Sequence, residues 1–539
     1  VEGLLSMAVL KDKCLPQATH QQIEHIHESL LFYDEHTFGA SESVSDPLCE
    51  NSQVQWGEKS AYAWEAVKRT QMLYETSVGL LQGDLRRGKN PTLTIFNTLN
   101  WKRSEMLTVY IDFEVIPRNQ FFEITDFQGH SLKVQPIRYR REGCYYAIFA
   151  EDIPPMGYKT FEIVFKQPST DTGTITINNA SIENHFYKLQ LNPDKGTIQS
   201  LYDKELNCEL VDSSSPWELG AFIYEKLGNR DQLAQYRLDD YNRTGLSECR
   251  IIDSSNGPIY QRILLQGKSP GTDEAFGVNL EIKLYHDTKR IELEYAIKRL
   301  PETDPSGIYV AFPFQLPEGK LAFDVQGGTV ISGKNQLEGT STDWNTVQNF
   351  VSVQNNQAQI IIGSSLIPLY QLGDINLGKF QYQKQYERPH VYSWVMNNYW
   401  NTNFKASQEG EFRWSYHLTS SVDPSNNLAT KFGWSSRIPL YARVMPTGTE
   451  NHKPTEYSAF HFEKDNFLMT SCTPSKEEGY ILLNIREIDG KRTNLRILNE
   501  DGQTIPFTIV NAIEEKLENE TSEHIFEGYQ NKFIKIKRF

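Results

Sequence analysis

"GDLRRGKNPTLTIFNTLNW", residues 83–101, is where the chain changes period. Upstream of it the pattern is helical, with helices expected from Glu2 to Lys11, from near Gln17 to Tyr33, and from about Ser52 to Leu85. The third places Ala63, Val67, Thr70, Tyr74, Ser77 and Leu81 on one face at helical spacing. Downstream of Pro91 the stretches "LTIFNTLNW", "MLTVYIDF" and "CYYAIFAEDI" are rich in aromatic and β-branched residues, the signature of strands. The expected fold class is therefore α+β and mostly β: an N-terminal three-helix bundle followed by β-sandwich domains.

At 539 residues the chain exceeds one hydrophobic core. A helical bundle is expected over 1–90 and a small β-sandwich over 91–168, closed by the linker-like "KQPSTDTG" at 166–173. Residues 172–445 hold too many strand-like runs for an immunoglobulin-sized unit and indicate a large two-sheet sandwich, with Asp194-Lys195-Gly196 as one hairpin turn. "PTGTENHKP" at 446–454 opens a terminal β-domain over 446–539, in which "YILLNIREIDGKRTNLRIL" reads as a hairpin around Asp489-Gly490.

Lys and Arg total 54 against 69 Asp and Glu, a net charge of −15 that repels phosphate backbones and argues against nucleic acid. No apolar run approaches the ~20 residues of a membrane helix, so a soluble protein is expected, its compartment left open. Six cysteines lack any C-x-x-C pair, so neither a zinc ribbon nor a disulfide framework is indicated. Nucleotide-binding glycine loops, H-E-x-x-H and G-x-S-x-G are absent from the sequence, which removes the corresponding enzyme classes. The chain opens on Val1 with neither methionine nor signal sequence, so its true beginning is expected to lie upstream.

Two stretches carry candidate chemistry. "YDEHTFGASES", residues 33–43, sets Asp34, Glu35 and His36 between a helix end and Gly39, where the backbone can turn and hold side chains at a rim. An imidazole beside carboxylates suits a divalent ion such as zinc, and a polar helix end satisfies the same spacing. "NNYWNTN", residues 397–403, combines amides with an aromatic face, as sugar sites do, nominating Asn397, Asn398, Trp400 and Asn403. The same residues also suit turn capping and core filling. Trp344, Trp56 and Trp64 read as core.

Several phrases, in order, resemble glycoside hydrolase family 38, the α-mannosidases. "VEGLLSMAVL" resembles the opening of that family's bundle, "FNTLNWKRSEMLTV" and "PPMGYKTFEI" the start and end of its first β-domain, and "IENHFYKLQLNPDKGTIQSLYDKE" the first strands of its large sandwich. "YVAFPFQL", "TDWNTVQNFVSV", "VMNNYWNTNF" and "LLNIREIDG" continue the series to the terminal domain. The resemblance implies a galactose-mutarotase-like supersandwich, a retaining mannoside hydrolase acting on carbohydrate, and a divalent metal, read as zinc, completed by a histidine of the bundle. Family members carry His-His-Asp-Ala-x-x-Gly-Thr there. Aligned on Gly39, this chain has Tyr33, Asp34 and Glu35 in place of the two histidines and the aspartate, a departure that implies a divergent, bacterial-type branch. His36 then becomes the metal ligand, Asp34 a competing or additional one, and Glu35 a partner for a sugar hydroxyl. The family's two catalytic carboxyls lie on an α/β barrel that has no counterpart before residue 91, so the catalytic residues are expected outside these 539 positions. Two other classes compete: a non-catalytic carbohydrate-binding or scaffold protein, and a polysaccharide lyase-like protein, the latter on architecture alone. Exposed sandwich edges would allow a homo-oligomer.

Overall fold

The computed structural model describes residues 1–167 and 180–539, so most of the linker at 166–173 lies outside the described residues. The helical region holds α1 (Glu2–Leu10), α2 (Thr19–Tyr33) and α3 (Glu50–Leu81). The chain divides into two compact units, one of Val1–Asp34, Ala61–Gly173 and Pro439–Phe539, the other of Glu35–Ser60 and Thr174–Ile438.

In the first unit α1 is apolar on every side, and a helix of that kind must be buried all round. Leu4, Met7 and Ala8 pack with Phe467, Met469, Ile481 and Leu483 of strands Phe467–Pro474 and Tyr480–Glu487. α2 instead leaves Leu30, Leu31 and Phe32 exposed. On α3 from Ala61 onward the buried residues are Ala66, Leu73, Ser77, Val78 and Leu81, while Val67 is exposed. The expected face is thus right at Ser77 and Leu81 and one residue off further back, because Ala66/Leu73 and Val67/Tyr74 both satisfy the same spacing. Trp64, read as core, is 72% exposed.

A small sandwich follows. Its five-stranded sheet centres on Thr92–Asn97 and Gly157–Lys166, and its three-stranded sheet comprises Arg103–Asp112, Lys133–Tyr139 and Gly143–Ile153. Leu93, Ile95 and Phe161 of one sheet meet Leu107, Ile111 and Ile148 of the other in a single core. Strand Tyr441–Met445, placed by the sequence at the end of the large β-region, pairs with Thr92–Asn97 and brings Leu440 into this core. The proposed hairpin at Asp489-Gly490 does not form: Tyr480–Glu487 pairs with Phe467–Pro474 and Asn531–Lys537, and Thr493–Leu495 pairs with His524–Phe526. The buried Glu487 carboxylate accepts from the Asp489, Lys491 and Tyr529 amides at 2.9, 3.1 and 3.0 Å, which bends the chain away instead of returning it alongside.

The second unit is the large sandwich, with sheets of nine, six and four strands. Strands Tyr187–Asn192 and Thr197–Asp203 form the expected hairpin, with Gly196 at φ +66° in its turn. Within the six-stranded sheet, alternation separates two buried faces. Ile308, Val310 and Phe312 point into the main core, whereas Tyr309 and Ala311 point to a second, aromatic-rich cluster with Trp394 and Tyr399. Strand Ser306–Phe312 is therefore buried throughout, and the loops that cover its second face include 397–406.

Candidate functional site

The 33–43 stretch leaves α2 through Asp34, whose N–H donates to the Leu30 carbonyl at 2.8 Å and whose side chain is exposed. Beyond it the chain is fixed by α3. Lys59 Nζ donates to the Glu35 carbonyl at 3.0 Å and to Glu35 Oε2 at 3.3 Å, and the Thr37 amide donates to Oε2 at 3.1 Å. Desolvation opposes ionisation of Glu35, but the Thr37 amide and the Lys59 ammonium hold its carboxyl below the ordinary value. Its other oxygen lies 2.7 Å from His36 Nδ1. The His36 side chain is 89% exposed, and its Nε2 lies 3.5 Å from Thr37 Oγ1.

Gly39 then lies at φ +146°, where a Cβ would come within 2.7 Å of the Trp56 indole nitrogen and 2.8 Å of Ser43 Oγ. This close approach seats the stretch on α3. Trp56 itself is buried, as the sequence suggested.

Some 360 positions downstream, the 397–403 loop meets the same stretch. The Phe38 N–H donates to the Asn403 carbonyl at 2.8 Å, Thr402 Oγ1 donates to the Ser41 carbonyl at 3.2 Å, and Lys405 Nζ lies 5.6 Å from the Trp56 ring. Within the loop, Asn403 Oδ1 accepts from Thr402 Oγ1 at 3.0 Å, and Asn403 holds φ +65°. Asn397 Oδ1 accepts from the Tyr399 amide at 3.4 Å. Asn398 points inward: its Oδ1 accepts from the Ser306 amide at 2.7 Å, and its Nδ2 donates to the Glu302, Asp304 and Ala406 carbonyls at 3.2, 3.0 and 2.9 Å. That amide holds two loops together, with both of its N–H groups and one lone pair of its oxygen engaged. Trp400 is half-buried, its ring 5.5 Å from Trp344, which lies 5.9 Å from Trp394.

Beneath the loop is a group that the sequence reading did not single out. Glu225 is fully buried and accepts from Tyr399 Oη at 2.7 Å, Tyr309 Oη at 3.2 Å and Arg243 Nε at 2.5 Å. Burial, reinforced by the neighbouring phenol and carboxylate, holds the Tyr399 hydroxyl protonated well above its ordinary range. Gly307 leaves the space this needs, since a Cβ there would lie 2.3 Å from Tyr399 Oη. A lone acid in the apolar run "FIYEKL" was the available signal. With three donors on its two oxygens Glu225 anchors the loop.

The family model for the C-terminal domain of glycosyl hydrolases family 38 matches residues 182–380. The sequence match to family 38 is confined to those residues, less than half of the chain. Among solved structures, an α-mannosidase from Enterococcus faecalis V583 superposes with a TM-score of 0.75 at 13% identity, over 99% of this chain and 65% of that one. A protein of glycosyl hydrolase family 38 from Enterococcus faecalis superposes at 0.73 and 14% identity, over 99% of this chain and 68% of that one. At these identities the shared property is the fold, and the chain spans about two thirds of the length of either structure. No curated protein matches the sequence. The 33–43 and 397–403 stretches both lie outside the span of the family 38 match.

Among the described residues no group of three or more His, Cys, Asp or Glu side chains is placed to hold a metal ion. Beside Glu35, the His36 ring keeps one nitrogen against a carboxylate and the other toward the surface. Among the described residues no helix is long and apolar enough to cross a membrane.

Proposed function

We propose that this chain is the helical and β portion of a metal-dependent, retaining α-mannosidase-like glycoside hydrolase. The observation that carries the reading is the hydrogen bond from Phe38 to the Asn403 carbonyl, which joins the stretch nominated for metal chemistry to the stretch nominated for sugar chemistry, in a chain whose residues 182–380 match the family 38 domain. His36 would donate Nε2 to the metal, Glu35 would fix the tautomer and orientation of the ring, and Asp34 would compete for or add to the coordination. Zinc, when bound, would orient and polarise hydroxyls of the reacting sugar. Asn397 and Asn403 would hydrogen-bond further hydroxyls, and Trp400 would offer its exposed face to the ring C–H groups. The nucleophile and the acid/base, the pair of carboxyls that retaining glycosidases require, would come from a region outside these 539 residues.

The test uses the protein as its native host makes it. Metal content and hydrolysis of an aryl α-mannoside are measured for the wild type and for His36→Ala. The expected result is about one zinc per chain in the wild type, with loss of both metal and hydrolysis in the variant. Hydrolysis that persists without metal in His36→Ala would overturn the metal assignment. Sugar binding without any hydrolysis would leave a carbohydrate-binding scaffold as the function.

A further inference from the structure

The three-stranded sheet of the small sandwich presents outward one row of side chains that its core does not require. Register sets Tyr110 opposite Tyr145, and Tyr145 opposite Arg138. Directly opposed residues share a face of the sheet. The adjacent row, Ile111 opposite Cys144, is buried in the core, so the Tyr110, Tyr145, Arg138 row faces outward. The two tyrosine rings are 5.0 Å apart between centroids, and the Arg138 guanidinium lies 5.5 Å from the Tyr145 ring. Gly143 makes this possible, because a Cβ there would come within 2.6 Å of the Tyr110 ring and hydroxyl.

The turn beyond Arg138 extends the row. Tyr139, Arg140 and Arg141 are exposed, and the Arg140 N–H closes the turn on the Gly143 carbonyl at 2.8 Å. Tyr110, Arg138, Tyr139, Arg140, Arg141 and Glu142 line an open cavity of about 470 Å³. Neither the Arg140 nor the Arg141 guanidinium has an ion-paired or hydrogen-bonded partner among the described residues. In a chain of net charge −15 this tip gathers three guanidiniums within four positions against the Glu142 carboxylate, with Asp112 also acting on Tyr110. A positive cleft of this kind draws anions. The arginine fork matches the paired oxygens of a carboxylate or phosphate, and the tyrosine faces accept the apolar face of a sugar ring.

We propose that this hairpin tip is a second, non-catalytic binding site for a sugar bearing an anionic group, whether the carboxylate of a uronic acid or a phosphate ester. The sugar half of the proposal rests on the carbohydrate reading above, and the anionic half rests on the arginines alone. The 539-residue chain is titrated by calorimetry with glucuronate, mannose 6-phosphate, mannose and inorganic phosphate. Millimolar binding is expected for the first two and binding about tenfold weaker for the last two, a difference of one charge-assisted fork or one ring contact. The double variant Arg140→Ala/Arg141→Ala is expected to lose at least tenfold for both charged sugars. Tyr110→Ala is expected to weaken them while leaving inorganic phosphate unchanged. Circular dichroism confirms that both variants are folded. Inorganic phosphate binding as tightly as mannose 6-phosphate would overturn the sugar specificity, neutral mannose binding as tightly as either would overturn the role of charge, and full affinity in the double arginine variant would overturn the location. None of these readouts uses hydrolysis or the His36 metal, so this proposal and the enzymatic one fail separately.

Discussion

His417 lies on strand Gly410–Ser421, buried amid charge. Arg290 donates to its Nδ1 at 2.7 Å, Glu292 Oε2 is 3.8 Å from the same nitrogen, and Lys283 in turn holds Glu292 at 2.9 Å. A nitrogen that accepts from a guanidinium must carry a lone pair, so the imidazole is neutral. Burial first, and the Arg290 charge next, push its pKa down to about 3 from 6.5. The unfolded chain therefore binds a proton at His417 between those values when the native chain does not. Stability from this group is complete above about pH 6.5 and falls as the pH drops toward 3, by at most about 1.4 kcal/mol per unit. In His417→Gln the side-chain carbonyl can still accept from Arg290 and cannot titrate. Urea unfolding of both proteins at several pH values between 6.5 and 4.5 is expected to show the wild type losing stability relative to the variant as pH falls, and a difference that stays flat would mean that His417 is not held neutral. Nothing in "WSYHLTS" announces this, because the partners come from other strands. The same applies to Asn398, where sequence showed an amide beside a tryptophan but not the four backbone groups already engaging it.

Elements were more legible than their partners. All three N-terminal helices occur where periodicity set them, since local pattern suffices to specify a helix. What α1 packs against is not a local property: a nine-residue helix apolar on all sides shows no preferred face, and its partners lie more than 450 residues away. Strand Tyr441–Met445 was recognisable as a strand but not as a neighbour of Thr92–Asn97, for the same reason. Contrasting burial gives a direct check at this scale. Leu4→Ala on α1 leaves a cavity beneath a fully buried side chain and is expected to cost about 2–5 kcal/mol, whereas Leu31→Ala on the exposed side of α2 is expected to stay within about 0.5 kcal/mol. Chemical denaturation of the two variants beside the wild type measures both. Equal effects would contradict the burial of α1 against the terminal strands.

For the whole molecule, the two stretches that sequence chemistry nominated, residues 36–43 and 397–403, are hydrogen-bonded neighbours. It missed the anchoring group, because Glu225, Arg243, Tyr309 and Tyr399 come from separated parts of the chain and become one network only after the six-stranded sheet has formed. The division into units is likewise a long-range result, and it yields opposite expectations for two fragments. The main core of the large sandwich draws all of its buried residues from between Ile182 and Leu418, so a fragment of residues 180–438 retains that core and all three of its sheets. A fragment of residues 1–167 loses Leu440 from the small-sandwich core, loses strands Tyr441–Met445 and Glu456–Ser458 from both sides of its five-stranded sheet, and strips α1 of the strands that bury it. Exposed strand edges and uncovered apolar surface favour aggregation over folding. Residues 180–438 are therefore expected to unfold cooperatively in urea, with a slope proportionate to their buried surface, and residues 1–167 to show no cooperative transition unless 439–539 is supplied in trans. A sharp, reversible transition from 1–167 alone would mean that the first 167 residues hold a complete core, contrary to the strand pairing on which this expectation rests.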